Sequence, residues 1–208
     1  YQTFINQQVH TCLMSPRYIL FHRYRTFMDP NADKQWFAIR VTYSRELTVK
    51  AYFEASSIEC FVPMRYTLKI QRGKKRRVLE PVIHNLLFVH ISKTELDRIK
   101  TTMGIRLPIR YMMQTNGKRI PIVVPDDQMR HFMAVTATYD EQLLYLDPAE
   151  INFQQGDLVR ITQGIFTGVV GRFLRIKGGR SRRVVVSVQG VMAVATAALP
   201  ASFVEKIE

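Results

Sequence analysis

The sequence predicts an α+β domain, built from an antiparallel sheet flanked by helices, followed by a small all-β barrel of five strands. Over residues 34–136, strand-like and helix-like patterns alternate without the regular βαβ order of a parallel sheet. In the last quarter of the chain the composition changes, because seven of the ten glycines separate short runs rich in valine and isoleucine. Short strands with turn glycines at such spacing are typical of small antiparallel barrels.

The chain of 208 residues is long enough for one domain of ordinary size and a second, smaller one. We expect an N-terminal extension over residues 1–33, where no hydrophobic period is sustained, and the α+β domain over 34–136. Residues 137–153 are more polar and acidic, which indicates a linker, and 154–208 are expected to form the barrel.

The α+β domain is predicted to open with a strand and a helix. The run that begins at Trp36 is apolar and β-branched, and Ser44 is placed as the N-cap of a helix that continues to about residue 56. Two extended segments follow over 58–66 and 68–79, with a glycine turn flanked by basic residues. This part of the chain therefore predicts a strand, a helix and a hairpin.

A further strand and a second helix are predicted next. Alternate positions of residues 81–91 are apolar on both faces, with a histidine at each end of one face. Ser92 and Glu95 have the spacing of a capping box, and Gly104 ends the helix that they begin.

The domain is predicted to close with a hairpin and a third helix. Asn116-Gly117 is a favoured two-residue turn, and it lies between a strand over 107–113 and another over 120–124. The third helix is expected to start directly after Pro125.

Composition restricts the class of protein. The chain is 47% hydrophobic and 23% charged, which is the balance of a foldable globular protein. Thirty Lys and Arg against 17 Asp and Glu leave a net charge of +13, so a polyanion, most commonly nucleic acid, is the first partner to expect. No apolar run approaches the roughly 18 residues of a membrane helix, so we expect a cytoplasmic protein with no membrane contact.

Motifs for catalysis and for cofactor binding are missing from the sequence. There is no GxxxxGKS/T, no GxSxG and no HExxH, so we do not expect an enzyme. Cys12 and Cys60 lie far apart without a CxxC pair, and the proximity of Cys12 to His10 and His22 is more often incidental than a metal site. We therefore expect no cofactor, metal or disulfide.

Residues 156–176 (GDLVRITQGIFTGVVGRFLRI) resemble a KOW motif. In that motif Gly168 and Gly171 would be needed where the backbone turns tightly or approaches another strand closely. Upstream, the segments WFAIRVTYSREL, ECFVPMRY and PVIHNLLFVHI follow one another in the order of the NusG N-terminal (NGN) domain. Over residues 34–208 the chain thus resembles the NusG family, and several segments are closest to its specialised RfaH and UpxY types.

The resemblance implies a transcription elongation and antitermination factor that binds RNA polymerase in the bacterial cytoplasm, associated with the nucleoid. Relatives of this type suppress pausing and termination over particular operons, in the UpxY case those for capsular polysaccharides. The barrel would recruit the ribosome or a termination factor. The alternative from another class is a KOW-containing RNA-binding or ribosome-associated structural protein, which has no evident need of the NGN-like domain.

The resemblance further implies an exposed apolar patch that docks on the clamp helices of the largest polymerase subunit. Alignment by the first and third NGN-like segments places this patch at Ile39, Ile83, Leu86, Phe88, Tyr111, Met129 and Phe132. The residues by themselves also fit an ordinary core.

Two further surfaces are expected to bind nucleic acid. The resemblance implies contacts with the non-template DNA strand at Tyr43, Arg45, Thr48, Tyr52, Thr102 and Met103, although these residues by themselves also fit a solvated surface. An aromatic ring beside arginine suits an unstacked base, because stacking accepts any base while arginine holds phosphate. The basic loop predicts phosphate contacts with DNA or RNA through Arg72, Lys74, Lys75, Arg76 and Arg77, although such a run can also be a solvated turn.

Overall fold

The computed structural model of the chain describes residues 33–114, 119–147, 156–176, 178–188 and 190–207. The predictions for residues 1–32, including the Cys12 group, and for the Asn116-Gly117 turn lie outside the described residues. The chain from Lys34 onward forms one compact unit.

Seven strands belong to the N-terminal half of this unit. They are β1 (Lys34–Val41), β2 (Cys60–Phe61), β3 (Met64–Gln71), β4 (Lys74–Pro81), β5 (Leu86–Ser92), β6 (Ile109–Tyr111) and β7 (Val123–Val124). The strand predicted at Trp36 is the centre of the N-terminal sheet: β1 pairs with β5 on one side and with β6 and β7 on the other, and β2 pairs with β5. All of these pairs are antiparallel, as the predicted fold class requires.

Among the described residues, three α-helices accompany the sheet: α1 (Glu46–Ala55), α2 (Lys93–Met103) and α3 (Asp126–Thr136). Ser92 caps α2 as predicted, since the backbone N–H of Glu95 donates a hydrogen bond of 3.2 Å to its Oγ. The prediction that Ser44 caps α1 is wrong. Residues Thr42–Ser44 form a 3₁₀ turn with a left-handed backbone at Tyr43 and Ser44, so α1 begins only after Arg45.

The N-terminal sheet is buried on both faces, because successive residues of a strand point to opposite sides. On one face, side chains of the sheet pack against side chains of α1 and α2. The sheet contributes Phe37, Ile39, Val41, Leu87, Val89 and Ile91, and the helices contribute Val49, Phe53, Leu96 and Ile99. On the other face, which we call the α3 face, the buried residues are Trp36, Ala38, Leu86 and Phe88 from the sheet with Met129, Phe132 and Val135 from α3. The apolar alternation of residues 81–91 is thus explained by a central strand with two dry faces.

Strands β3 and β4 form a two-stranded sheet of their own, which we call the arm. Gln71 is paired with Lys74, so Arg72 and Gly73 make a two-residue loop. Their φ angles are 51° and 73°. Two positive φ angles are the signature of a type I′ turn, whose twist suits the flanking strands.

The described part of the C-terminal β region contains six strands: β8 (Leu144–Leu146), β9 (Asp157–Ile161), β10 (Val170–Arg175), β11 (Arg182–Val188), β12 (Met192–Ala195) and β13 (Val204–Lys206). They form one antiparallel sheet in the order β13-β9-β10-β11-β12-β8. Five of them lie where the barrel was predicted, which confirms the all-β class. The sixth, β8, lies among the residues expected to be a linker, and it is held there by pairing with β12.

The two KOW-like glycines lie where the chain needs them. Gly168, with a φ of 87°, lies in the turn between β9 and β10. A Cβ atom on Gly171 would lie 2.6 Å from the carbonyl oxygen of Val185, which is too close for any side chain. The expectation of a tight turn and of a close strand approach is therefore confirmed.

A single apolar core joins the N-terminal half to the C-terminal β region. Helix α3 packs on the sheet through one side and contacts β11 and β12 through another. Residues of the α3 face are continuous with buried side chains of the β region, including Ile161, Val184 and Val194.

Candidate interaction surfaces

Four of the seven residues predicted for the apolar patch come together on the α3 face. Leu86 and Phe88 lie on β5, and Met129 and Phe132 lie on the side of α3 that faces this strand. The ring centroid of Phe132 is 5.8 Å from that of Phe88, with the rings at 63°. Such edge-to-face contacts add to the apolar burial that fixes α3 on the sheet.

The other three predicted residues lie elsewhere. Ile39 is opposite Tyr111 in the β1–β6 pairing, and both side chains are on the face covered by α1 and α2. The Tyr111 hydroxyl donates a hydrogen bond of 3.0 Å to Asp97 Oδ1 on α2, and burial with this contact raises the pKa of the phenol well above its usual range. Ile83 precedes β5 and is 37% exposed. Tyr111 thus anchors α2 to the sheet. Of the seven residues predicted for the apolar patch, only Ile83 is exposed.

The α3 face is covered, so the expectation of an exposed patch does not hold in this conformation. Phe88, Met129 and Phe132 are fully buried, and the apolar core continues from them into the C-terminal β region. A Cβ atom on Gly190, between β11 and β12, would lie 3.7 Å from Ile122 Cδ1 beside the α3 face. The sequence indicated that these residues are apolar but carried no signal of what covers them.

Sequence reasoning missed the contribution of Trp36 to the α3 face. Its ring stacks on His90 at a centroid distance of 5.0 Å, and His90 Nδ1 is 3.2 Å from Glu59 Oε2. Trp36 is opposite His90 in the β1–β5 pairing. The pair could not be predicted from the sequence, because the register between two strands is fixed only when the sheet forms.

A second surface is the 3₁₀ turn between β1 and α1. Tyr43 is 78% exposed, and its left-handed backbone is held by a hydrogen bond of 3.0 Å from the backbone N–H of Ser44 to Asn85 Oδ1. The guanidinium of Arg45 lies 5.9 Å from the centroid of the Tyr43 ring. A strained, exposed backbone that presents an aromatic ring beside a cation is a feature typical of binding sites.

The remaining residues predicted for this surface lie on α1 and α2. Thr48 and Thr102 are exposed, whereas Tyr52 is half-buried with its ring 5.8 Å from that of Phe53. Arg98 of α2, which sequence reasoning missed, is held by Glu95, whose carboxylate accepts two hydrogen bonds from the guanidinium and raises its pKa.

A buried carboxylate lies under the same turn. Glu46, the first residue of α1, is 2% exposed, and its Oε1 is 3.4 Å from Nδ1 of His84. Its Oε2 has no hydrogen-bond partner among the described residues. The helix start favours a negative charge, which compensates part of the cost of burial.

The third surface is the basic arm. Lys69 forms an ion pair with Glu80 across the arm, and Arg77 forms one with Glu141, with a distance of 2.8 Å. Arg72, Lys74, Lys75 and Arg76 have no ion pair within the part of the chain that the structure describes. All four side chains are exposed, so the predicted phosphate contacts are sterically available.

Neither a metal centre nor a reactive thiol is formed by the described residues. No three His, Cys, Asp or Glu side chains in that part of the chain come together as metal ligands. Cys60 is half-buried, and burial raises the pKa of its thiol to about 11. Among the described residues, no helix is long and apolar enough to span a membrane.

Comparison with known proteins gives a family match and a likeness to solved structures. Residues 34–133 match the family model described as "Transcription termination factor nusG". A solved structure from Thermotoga maritima, titled "Domain interaction in Thermotoga maritima NusG", is 22% identical and covers 84% of this chain and 98% of its own chain, with a TM-score of 0.38.

Proposed function

We propose that the protein is a transcription elongation and antitermination factor that binds RNA polymerase. The proposal is supported by the match of residues 34–133 to the NusG transcription termination factor model. The polymerase surface that we propose is the α3 face, and the target is the pair of clamp helices of the largest subunit. Two basic or aromatic surfaces, the Tyr43 turn and the arm, would hold DNA beside it.

The observation that carries this proposal is the way in which the α3 face is buried. The opposite face of the sheet is covered by α1 and α2, which belong to the same half of the chain, whereas the α3 face is continuous with the C-terminal β region. An apolar face that is closed by a separate part of the chain can exchange that cover for a partner without net exposure to water.

Binding of polymerase at this face requires the C-terminal β region to move away. Burial of a single Phe, Met or Leu side chain is worth about 1.5–3 kcal/mol, so a state in which the α3 face has lost the cover of the C-terminal β region would be rarely populated in the free protein. The partner must therefore supply contacts of similar size, and the apparent affinity is lowered by the cost of opening.

The Tyr43 turn is proposed to hold the non-template DNA strand. Tyr43 offers a ring on which an unstacked base can lie, and Arg45 beside it offers a cation for phosphate. A factor that holds both the polymerase clamp and the DNA disfavours the open states in which polymerase pauses. Suppression of pausing and termination follows from that bridge.

The finer assignment is to a specialised paralogue of the RfaH and UpxY type that acts on polysaccharide operons in the bacterial cytoplasm. Its support is the likeness of the CFVPMRY and PVIHNLLFV segments to those relatives. The C-terminal β region, once released, is proposed to recruit the ribosome or a termination factor through basic residues at the start of β11: Arg180 in the preceding turn, and Arg182 and Arg183 in the strand.

The test is a pull-down with RNA polymerase elongation complexes, using the chain with a protease site inserted between Asp147 and Gly156. Cutting weakens the hold of the C-terminal β region, so it should increase retention by intact complexes and have no effect with complexes that lack the clamp helices. Met133→Gln, on the half-buried margin of the α3 face, should reduce retention, whereas the matched Met113→Gln should not. Failure of both the cut and the uncut chain to bind intact complexes would overturn the proposal.

A further inference from the structure

The arm has one face that mixes exposed apolar and basic side chains. Residues directly opposite each other in an antiparallel pair share a face, and the pairs on this face are Tyr66 with Leu79, Leu68 with Arg77, and Ile70 with Lys75. Leu68 is 72% exposed and Ile70 is 74% exposed. Two large aliphatic side chains so open, on one side of a two-stranded ribbon, form a contact surface that nothing covers among the described residues.

The charge of the arm restricts what can cover that surface. Residues 64–81 contain seven Lys and Arg but only one acidic residue, Glu80, which gives a charge of +6 out of the chain's +13. Within the part of the chain that the structure describes, no segment covers the face, and a second copy would bring the same positive charge into contact with it. The charge complements a dense polyanion, and among macromolecules nucleic acid provides one.

We propose that this face of the arm lies in the major groove of a DNA duplex, with Leu68 and Ile70 against the base edges. The inference extends the proposed function, since it names the form of nucleic acid that the arm binds and adds residues that read it. Lys74, Lys75 and Arg76 would contact the phosphates on the two sides of the groove.

The dimensions of the arm suit this groove. The strands of a ribbon lie about 4.8 Å apart, and the major groove of B-form DNA, about 12 Å wide, admits a two-stranded ribbon. Strand β3 is eight residues long and therefore spans about 26 Å. The major groove of duplex RNA is deep and narrow, so the same face does not enter it.

The apolar residues suit the chemistry of the groove. The C5 methyl group of thymine is the apolar feature of the major-groove edge, and it is recognised by aliphatic contact. Lys75 and Arg77, on the same face, carry positive charges for the phosphates that border the groove. The face thus combines aliphatic contact with base edges and ionic contact with phosphate.

The distal part of the arm is free to dock. Among the described residues, the arm contacts the rest of the chain through its base and middle, where the Tyr66 ring lies 5.9 Å from that of Tyr139 and Arg77 reaches Glu141. Leu68, Ile70 and the turn beyond them are exposed.

The experiment measures binding of the full chain to a 5′-labelled A·T-rich duplex DNA by fluorescence anisotropy at a series of salt concentrations. Leu68→Thr with Ile70→Thr removes aliphatic surface, places β-branched residues that suit a strand at both positions and keeps the charge. We therefore expect roughly ten-fold weaker binding at an unchanged salt slope. Lys74→Ala with Lys75→Ala should lower the slope by about two, since each phosphate contact contributes about 0.9. The matched control is Ile165→Thr, because Ile165 is 73% exposed in the C-terminal β region.

Replacement of thymine by uracil in the probe tests the base-edge contact directly. Loss of the methyl groups should weaken binding of the unmodified protein and leave the Leu68→Thr, Ile70→Thr variant unchanged. Binding of that variant to DNA with full affinity would overturn the inference, and so would equal binding of the unmodified protein to duplex RNA. If the Leu68→Thr, Ile70→Thr variant lost retention on polymerase but kept its DNA binding, the face would be assigned to a protein partner instead. Retention on polymerase is measured on the same samples, so the inference can fail while the proposed function stands.

Discussion

Arg77 and Glu141 tie the arm to the segment that leads into the C-terminal β region. Arg77 Nη2 lies 2.8 Å from Glu141 Oε1, and the Arg77 guanidinium carbon lies 4.1 Å from the centroid of the Tyr66 ring. Arg77 also belongs to the arm face that carries Leu68. A DNA phosphate at this face would therefore compete with Glu141 for the same cation.

Glu141→Gln should release Arg77 for DNA. Both partners are more than half exposed, so the free energy of unfolding should fall by no more than about 1 kcal/mol. The salt slope of DNA binding should steepen by about one, because one more cation is available to phosphate. Glu205→Gln makes the same change of charge in the C-terminal β region and should leave the slope unaltered. An unchanged slope in Glu141→Gln would show that Arg77 does not exchange partners.

Arg72→Asn should remove a charge from the tip of the arm without loosening the turn. Arg72 has a φ of 51°, a conformation that asparagine tolerates well and that Asn-Gly turns favour. Amide hydrogen exchange of residues 66–79 should be as slow as in the unmodified protein, or slower. Arg72→Val removes the same charge but places a β-branched residue in the left-handed region, at a cost of about 1–2 kcal/mol. Exchange in the arm should then accelerate, and equal exchange in both variants would contradict the turn assignment.

Tyr111→Phe should destabilise the fold by about 1 kcal/mol at neutral pH, because it removes the hydrogen bond to Asp97. The pKa of Asp97 is lowered mainly by its hydrogen bond with Lys93 and also by Tyr111. A carboxyl with a lowered pKa in the folded state stabilises the fold above its unfolded pKa of about 3.9, and this stabilisation is lost as the pH falls through the folded value. The difference between the two proteins in urea unfolding should therefore shrink below about pH 4.

The same variant tests the division of the predicted patch. Tyr111 lies on the face covered by α1 and α2, so Tyr111→Phe should bind RNA polymerase as well as the unmodified protein does. Loss of polymerase binding without loss of fold would return Tyr111 to the binding surface.

Phe132→Ala should lower the stability of both halves of the molecule by the same amount, because they are expected to unfold in one transition. Phe132 is fully buried, and its ring contacts those of Phe88 and Phe61, so its truncation should cost about 3–5 kcal/mol. Fluorescence of Trp36, the single tryptophan, reports on the N-terminal half, and far-ultraviolet circular dichroism reports on the whole chain. Coincident transitions, both shifted to lower denaturant, are expected because the halves share one core. Separate transitions would show that the C-terminal β region is only loosely held.

The local sequence pattern was sufficient to predict the structure where the conformation of a segment depends mainly on its own residues. The apolar run at Trp36 became β1, Ser92 caps α2, and Gly171 fits only without a side chain. Ser44 failed as a cap because the tight turn at Tyr43 and Ser44 is fastened by Asn85, a residue about forty positions away. The predicted linker acquired β8 for a similar reason, since its partner β12 follows much later in the chain.

By itself, the sequence determined the two fold classes, the order of the elements and the concentration of positive charge in the arm, because periodicity, turn residues and charge are properties of neighbouring residues. Only the tertiary structure decided which apolar residues share a surface. Alternation places Ile39 and Phe88 on opposite faces of the sheet, and it is the position of α3 and the C-terminal β region that closes the face of Phe88. A hydrophobic pattern shows that a side chain avoids water. The residues that bury it belong to segments that are distant in sequence and come together only in the folded molecule.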